Sequence, residues 1–424
     1  MISKTDMEIL AMMEAKVGKL EDIYKNFDPP MPLDGTSEFY VNRIHNPLDS
    51  IRKSLMRRNR IPLSILFSGH RGSGKSTELN KLMTYSDIQS KYFIVYYSVK
   101  ETLDIVGLDY IDLLISIGAQ IFIKASKLYL NMRDSLLEEL DRWRNKIVGN
   151  EFDKDLVNGS KSNLTANIAK FFNQLLLKLK LEYTNRTKIR QKIEMRSSEI
   201  IELTNMIIAE VKLMSNKEVL VVIDDLDKLD LNIAEDIFYR RQITLTQPSC
   251  NIIYIMPLAL HYSSNFGQIN QAFTNSYVLP NIAIKHKDHS PNIEGINLMK
   301  EFVAKRMSLD LIDEDALEHA ITISGGLFRE MVNIINTAAD ESISRDDEKI
   351  RLDDVKGAES EIRNEFRRML RSKDYDALKK IHESCDIEDA ETCSELMHNL
   401  SVLEYRNDEN WYDVHPAIVP LLEK

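Results

Sequence analysis

The stretch Gly69-His-Arg-Gly-Ser-Gly-Lys-Ser76 constrains this chain more than any other part of it. It satisfies every fixed position of the pattern G-x-x-x-x-G-K-[ST]. Just before it, Pro62-Leu-Ser-Ile-Leu-Phe-Ser68 is short and apolar, as a strand buried in a parallel sheet is. Just after it, a helix is predicted from about Ser76 to Tyr85. Glycines let consecutive backbone N–H groups curl around phosphate oxygens without Cβ clashes. The helix that starts here points its positive end at the same charge. The spacing therefore predicts a phosphate cradle made of Gly69, His70, Arg71, Gly72, Ser73, Gly74, Lys75, Ser76 and Thr77. Lys75 is expected to reach the β- and γ-phosphates of ATP, and the Ser76 hydroxyl to ligate Mg²⁺. A chance glycine turn is the alternative, and the strand–loop–helix context argues against it.

Such a cradle needs a carboxylate at the end of a neighbouring strand. Glu218-Val-Leu-Val-Val-Ile-Asp-Asp225 supplies one. Two carboxylates closing a continuous apolar run are costly inside a core unless a cation or water awaits them. Asp224 is expected to hold Mg²⁺ through water, and Asp225 to orient or deprotonate the attacking water, with Asp227 a nearby rival. A solvated turn at the strand end is the plainer reading of the same residues.

The rest of the chain reads as α/β. Strands are predicted at 92–98, 251–256 and 276–279, with helices at 1–25, 46–59, 107–148, 185–214 and 232–246 and a polar loop at 149–165. After Pro280 no strand is predicted for a long stretch, and helices at 294–308, 313–323 and 327–341 suggest a lid. Three helices and two short strands around Asn407-Asp-Glu-Asn410 then suggest a winged helix. The expected fold is a P-loop parallel sheet with a helical insertion, followed by a helical lid and a C-terminal winged-helix-like domain. The boundaries are 1–35 for an N-terminal arm, 36–285 for the core (insertion about 107–215), 286–350 for the lid and 351–424 for the last unit. Cys250, Cys385 and Cys393 are odd in number and fit no zinc spacing, so reduced thiols and a cytoplasmic setting are expected. The N-terminus does not read as a signal peptide and no long apolar run is present, so no membrane is expected as a partner.

With these motifs in place, residues from about 36 onward resemble the AAA+ and STAND ATPases, in the branch with origin-recognition ATPases, transposon regulators and NLR-like proteins. Phe39-Tyr-Val-Asn-Arg43 is similar to the family's opening motif near the adenine pocket, and on this resemblance Arg43 joins the nucleotide site. Ser324-Gly-Gly-Leu-Phe-Arg329 is similar to a sensor-2 motif, which implies that Arg329 touches the γ-phosphate; a surface arginine near a helix start is the alternative. Trp411-Tyr-Asp-Val-His415-Pro is similar to a winged-helix histidine motif that senses bound ADP; a histidine bonded to its own backbone is the alternative. The strand at 251–256 ends without a residue suited to a first sensor, with His261, Ser263 and Ser264 as weak substitutes. Arg240 and Arg241 are weak candidates for an arginine finger. The resemblance implies a slow ATP-hydrolysing switch, homo-oligomeric, that regulates a separate effector protein, with antiphage defence or mobile elements as a context.

A net charge of −11 gives no general pull toward nucleic acid. One stripe differs: between Lys178 and Arg196, seven cations face Glu182 and Glu194, a net of +5. It could follow the phosphates of DNA or RNA, as in a DNA-associated loader or transposition regulator, or it is a solvated helix face. Residues 374–424 carry 13 acidic and 4 basic residues, so a wing there suits a protein surface better than DNA. A small-molecule kinase shares the loop, but no acceptor pocket can be recognised.

Overall fold

The computed structural model describes residues 15–28, 32–57, 61–147, 164–181, 183–194, 196–407 and 409–423. Five parallel strands form the central sheet in the order β2-β3-β4-β1-β5: β1 Ser64–Ser68, β2 Tyr92–Ser98, β3 Glu218–Asp224, β4 Asn251–Ile255 and β5 Asn275–Val278. Both faces are covered. Val219, Val221 and Ile223 of β3 enter one core, and Leu220 and Val222 enter the other. This explains an unbroken apolar run where a half-exposed strand would alternate. The helices Leu48–Met56 and Lys75–Thr84 cover one face.

The other face carries the insertion, whose helices span Tyr110–Lys127, Asp134–Ile147, Leu164–Leu181, Tyr183–Glu194 and Ser197–Ser215. Asp109 caps the first, accepting from the Ile111 N–H at 2.9 Å, and Asp112 bonds back to the Asp109 N–H at 3.2 Å. Gly118 lets the helix Ser197–Ser215 approach closely: a Cβ there would lie 2.7 Å from Thr204 Oγ1. Trp143, Phe171 and Phe172 pack around this crossing.

Several predicted helices are corrected. The stretch 107–148 is two helices, because the first stops at Lys127 where Tyr129 turns left-handed (φ 55°). The stretch 185–214 divides after Glu194. The stretch 232–246 is broken by a π segment, Asp236–Arg240. Most of the polar loop 149–165 lies outside the described residues, and a helix already begins at Leu164. Of the helix expected at 1–25, residues 1–14 lie outside the described residues, and Leu20–Lys25 is a 3-10 helix. Its cause is packing: Val17 bridges to Met307, while Leu20, Ile23 and Phe27 join the core of the lid.

That lid consists of the helices Ile293–Arg306, Glu314–Ile323 and Phe328–Ser344. The last unit has helices Leu352–Met369, Ser372–Ser384 and Ala390–His398, then an antiparallel hairpin of β6 Val402–Arg406 and β7 Asn410–Val414. Among the described residues no helix is long and apolar enough to cross a membrane.

Candidate nucleotide site

β1 and β3 flank β4, so the loop after Ser68 and the carboxylates after Ile223 meet at the same end of the sheet. Gly72 (φ 83°) and Gly74 (φ 96°) take left-handed conformations there. Lys75 begins the helix behind them with only 5% of its surface exposed. Its Nζ donates to the carbonyls of Gly69 (2.9 Å) and His70 (2.8 Å) and pairs with Asp227 at 2.7 Å.

Asp227, the rival considered above, is therefore the direct partner of the loop lysine. Burial alone would raise its carboxyl, but Lys75, backed by Arg71 and Lys228, outweighs that and holds it below the ordinary range. Asp224 shifts the other way. Burial pushes it up and the charges of Asp225 and Asp227 add to this, while hydrogen bonds from Tyr96 and Ser76 oppose it. A buried carboxylate repelled by its neighbours gains from a cation. The Ser76 hydroxyl and the Asp224 carboxylate are hard oxygen donors of the kind Mg²⁺ takes, so the residues present fit that ion. Asp225 is left-handed (φ 68°), and its two oxygens are engaged, one by the Ser98 hydroxyl at 2.6 Å and the other by Lys228 at 2.5 Å.

A cavity of about 520 Å³ opens on these groups, within the size range of small-molecule sites. Gly72, Gly74, Lys75, Ser76, Thr77, Asp224, Asp225 and Arg329 all line it. Leu33, Phe39, Val41, Phe302, Phe328 and Val332 give the lining apolar surface as well, beside charged groups such as Lys25, Asp34 and Arg306. The loop and the carboxylates suit a phosphate chain, and the apolar groups of the lining suit a flat base. Arg329 enters from the first turn of the lid helix Phe328–Ser344, where its backbone N–H donates to the Gly72 carbonyl at 3.3 Å.

Other residues of the predicted set face elsewhere. Arg43 bonds the carbonyls of Ser73 and Pro280 and lies over the Phe328 ring, bracing the loop from outside the cavity. His70 is buried against the C-terminal hairpin, its Nε2 accepting from the Glu404 N–H at 2.7 Å. Arg71 Nη2 lies 2.8 Å from His398 Nε2. His415 is not brought to the cavity: it packs against Phe366, and its Nδ1 accepts from the Ala417 N–H at 3.3 Å. This is the backbone-bonded alternative considered for it. His261 Nε2 sits 3.0 Å from Ser68 Oγ, just before the loop, and burial lowers it to about 4. The Ser263 hydroxyl is turned to the Leu260 carbonyl. Arg240 is exposed near Asp236, and Arg241 stacks on Tyr110 outside this cavity.

The basic stripe is largely engaged within the chain. Lys180 donates to the Glu101 carbonyl, Arg186 pairs with Asp104, Arg190 pairs with Asp112 and Lys192 reaches the Ile147 carbonyl. Sequence reasoning missed Tyr96, Ser98 and Lys228 at the cavity. The register that aligns Ser98 with Asp224 could have found Tyr96 and Ser98 only once strand order was known, whereas Lys228 pairs with Asp225 three residues before it.

The profile of the KAP family P-loop domain matches residues 45–256. None of the curated proteins matches the chain. Among solved structures, the chain is similar to Cdc6p from Pyrobaculum aerophilum, at 12% identity and a TM-score of 0.41 over 92% of this chain and 95% of that one. It is similar to the Aeropyrum pernix ORC1 protein, solved in complex with DNA, at 11% identity and 0.41 over 92% and 94%. It is also similar to the Thermotoga maritima RuvB Holliday junction branch migration motor, at 12% identity and 0.33 over 88% and 90%.

Proposed function

The chain belongs to the KAP family of P-loop domains, and from that premise we propose that it is an ATP-binding, slowly hydrolysing switch. One observation carries the proposal: Lys75, Ser76, Asp224 and the lid residue Arg329 line a single cavity. Lys75 compensates phosphate charge, exchanging Asp227 for the nucleotide. Ser76 and Asp224 hold Mg²⁺, which when bound shields the phosphate oxygens and polarises the scissile bond. Arg329 senses the outer phosphate from the lid. Because Asp225 is tied to Ser98 and Lys228, water activation there is weak, which accords with a slow enzyme. A ligand shifts a two-state protein only through its unequal affinity for the states, and Arg329 on a separate helix provides that inequality.

The finer reading is a STAND-type switch: ATP closes the lid, exposes a face for self-assembly, and the assembled chain regulates a separate effector protein, with defence or mobile-element systems as its setting. It is supported by the motif resemblance at Arg329 and by the contacts of His70 and Arg71 with the C-terminal unit. The test is light scattering on the purified chain with Mg²⁺ and a non-hydrolysable ATP analogue, with ADP, and without nucleotide. Assembly with the analogue alone is expected. The same mass in all three states would sink the switch, and unaltered nucleotide affinity in Lys75→Ala would sink the site.

A further inference from the structure

A second cluster of donor atoms lies outside the nucleotide cavity. One ligand atom each from His289, His382 and Asp413 lies within 4.8 Å of the others. They come from separate parts of the chain: the segment that leaves the sheet, the helix Ser372–Ser384, and β7. Asp413 is fully buried. Its Oδ1 lies 2.7 Å from His382 Nδ1 and accepts from the Val414 N–H at 2.7 Å. Its Oδ2 faces His289 Nδ1 at 3.6 Å and the ammonium of Lys285. The other nitrogen of His289 lies 3.6 Å from the Cys385 thiol.

A second observation is independent of these distances. His289 (φ 63°) and Cys385 (φ 54°) both adopt the left-handed conformation that non-glycine residues rarely take. Such backbone gathers where side-chain directions are imposed. Cys385 takes it as the cap of the helix Ser372–Ser384, which leaves its thiol 3.4 Å from the Lys287 carbonyl and 3.6 Å from His289 Nε2.

We propose that His289, His382 and Asp413 form a binding site for a divalent transition ion of the zinc class, with water in the fourth position. Two imidazoles and a carboxylate are a donor set that Zn²⁺ accepts. Tetrahedral bonds of 2.0–2.2 Å keep donors about 3.4 Å apart, so the present spacing closes with shifts of about 1 Å. Cys385, on the far side of His289, fixes the ring as an outer partner. Lys285 is the competitor: its ammonium neutralises Asp413 from the space the ion takes, and its side chain, 22% exposed, swings to solvent when displaced. A bound ion ties the segment leaving the sheet to the C-terminal unit.

The test uses the full chain, stripped with chelator and free of nucleotide, titrated with ZnCl₂ in a calorimeter. One Zn²⁺ per chain is expected. His382→Ala and His289→Ala, both at partly exposed positions, should each lose affinity by about tenfold or more. Lys285→Met should gain about tenfold, since no ammonium competes for Asp413. A purely ionic Lys285–Asp413 network predicts no such gain. The proposal is overturned if neither the parent nor Lys285→Met takes up zinc stoichiometrically, or if both histidine variants keep the parent's affinity.

Discussion

At the scale of single residues, the state of Lys75 decides most. Its charge is already compensated inside the protein, by Asp227 and two carbonyls, so a nucleotide must compete with Asp227 for the ammonium. Lys75→Ala should weaken binding of a fluorescent ATP analogue by roughly 30–150-fold, since a charged hydrogen bond is worth about 2–3 kcal/mol. Asp227→Asn tests the competition. Breaking a buried ion pair costs about 3–5 kcal/mol, so the nucleotide-free variant should unfold at markedly lower denaturant. Much of that loss should return on adding the ATP analogue, because phosphate then compensates the lysine. A variant as stable as the parent without ligand would show that the pair does not hold the loop.

At the scale of elements, the loop and the first turn of the lid helix are in direct contact. A Cβ on Gly72 would lie 2.6 Å from the Arg329 Cβ, at a left-handed φ. Gly72→Ala should cost about 1–2 kcal/mol from backbone conformation. It should also push Arg329 away, so nucleotide affinity falls by more than stability does. Gly267→Ala is the control: nothing lies within 4 Å of its Cβ, and both binding and denaturant midpoint should hold or improve slightly. The elements differ in how legible they are. The strands are readable because burial on both faces leaves a continuous apolar run, as in Val219 to Ile223. Helix ends are less so. The break after Lys127 is stabilised by Glu210, which accepts from the Arg133 N–H at 2.9 Å and pairs with its guanidinium. Nothing local to residues 128–133 announces a partner so distant in sequence. Residues 15–27 show the same limit: their apolar spacing serves the lid, through Val17 and Met307, and the rest of the helix expected at 1–25 lies outside the described residues.

At the scale of the whole molecule, the loop joins the sheet, the lid and the C-terminal hairpin. Its fixed positions could be read in sequence because the chemistry of phosphate dictates them. The free positions His70 and Arg71 could not, since their partners Glu404 and His398 are distant in the chain. His70 must stay neutral to accept the Glu404 N–H. Burial, with the nearby charge of Lys75, depresses it to about 3, and burial does the same to His415. An unfolded histidine titrates near 6.5. Below that value the unfolded chain takes protons that the folded chain refuses, so this contribution to stability is complete above pH 6.5. It then erodes as the pH falls toward 3, at about 1.4 kcal/mol per pH unit for each histidine. The thermal midpoint should accordingly drop between pH 7 and pH 5, before most carboxylates titrate. His261 and His398, each lowered to about 4, add to the same slope; His70→Gln keeps an acceptor for the Glu404 N–H and removes one of these four titrations, so its midpoint should fall less steeply. In the parent, the rate of ADP release should stay level over the same interval, because folded His70 remains neutral until the pH nears 3 and keeps its bond to the Glu404 N–H. Parallel stability curves for the parent and His70→Gln would mean that burial between the phosphate loop and the hairpin does not hold His70 neutral.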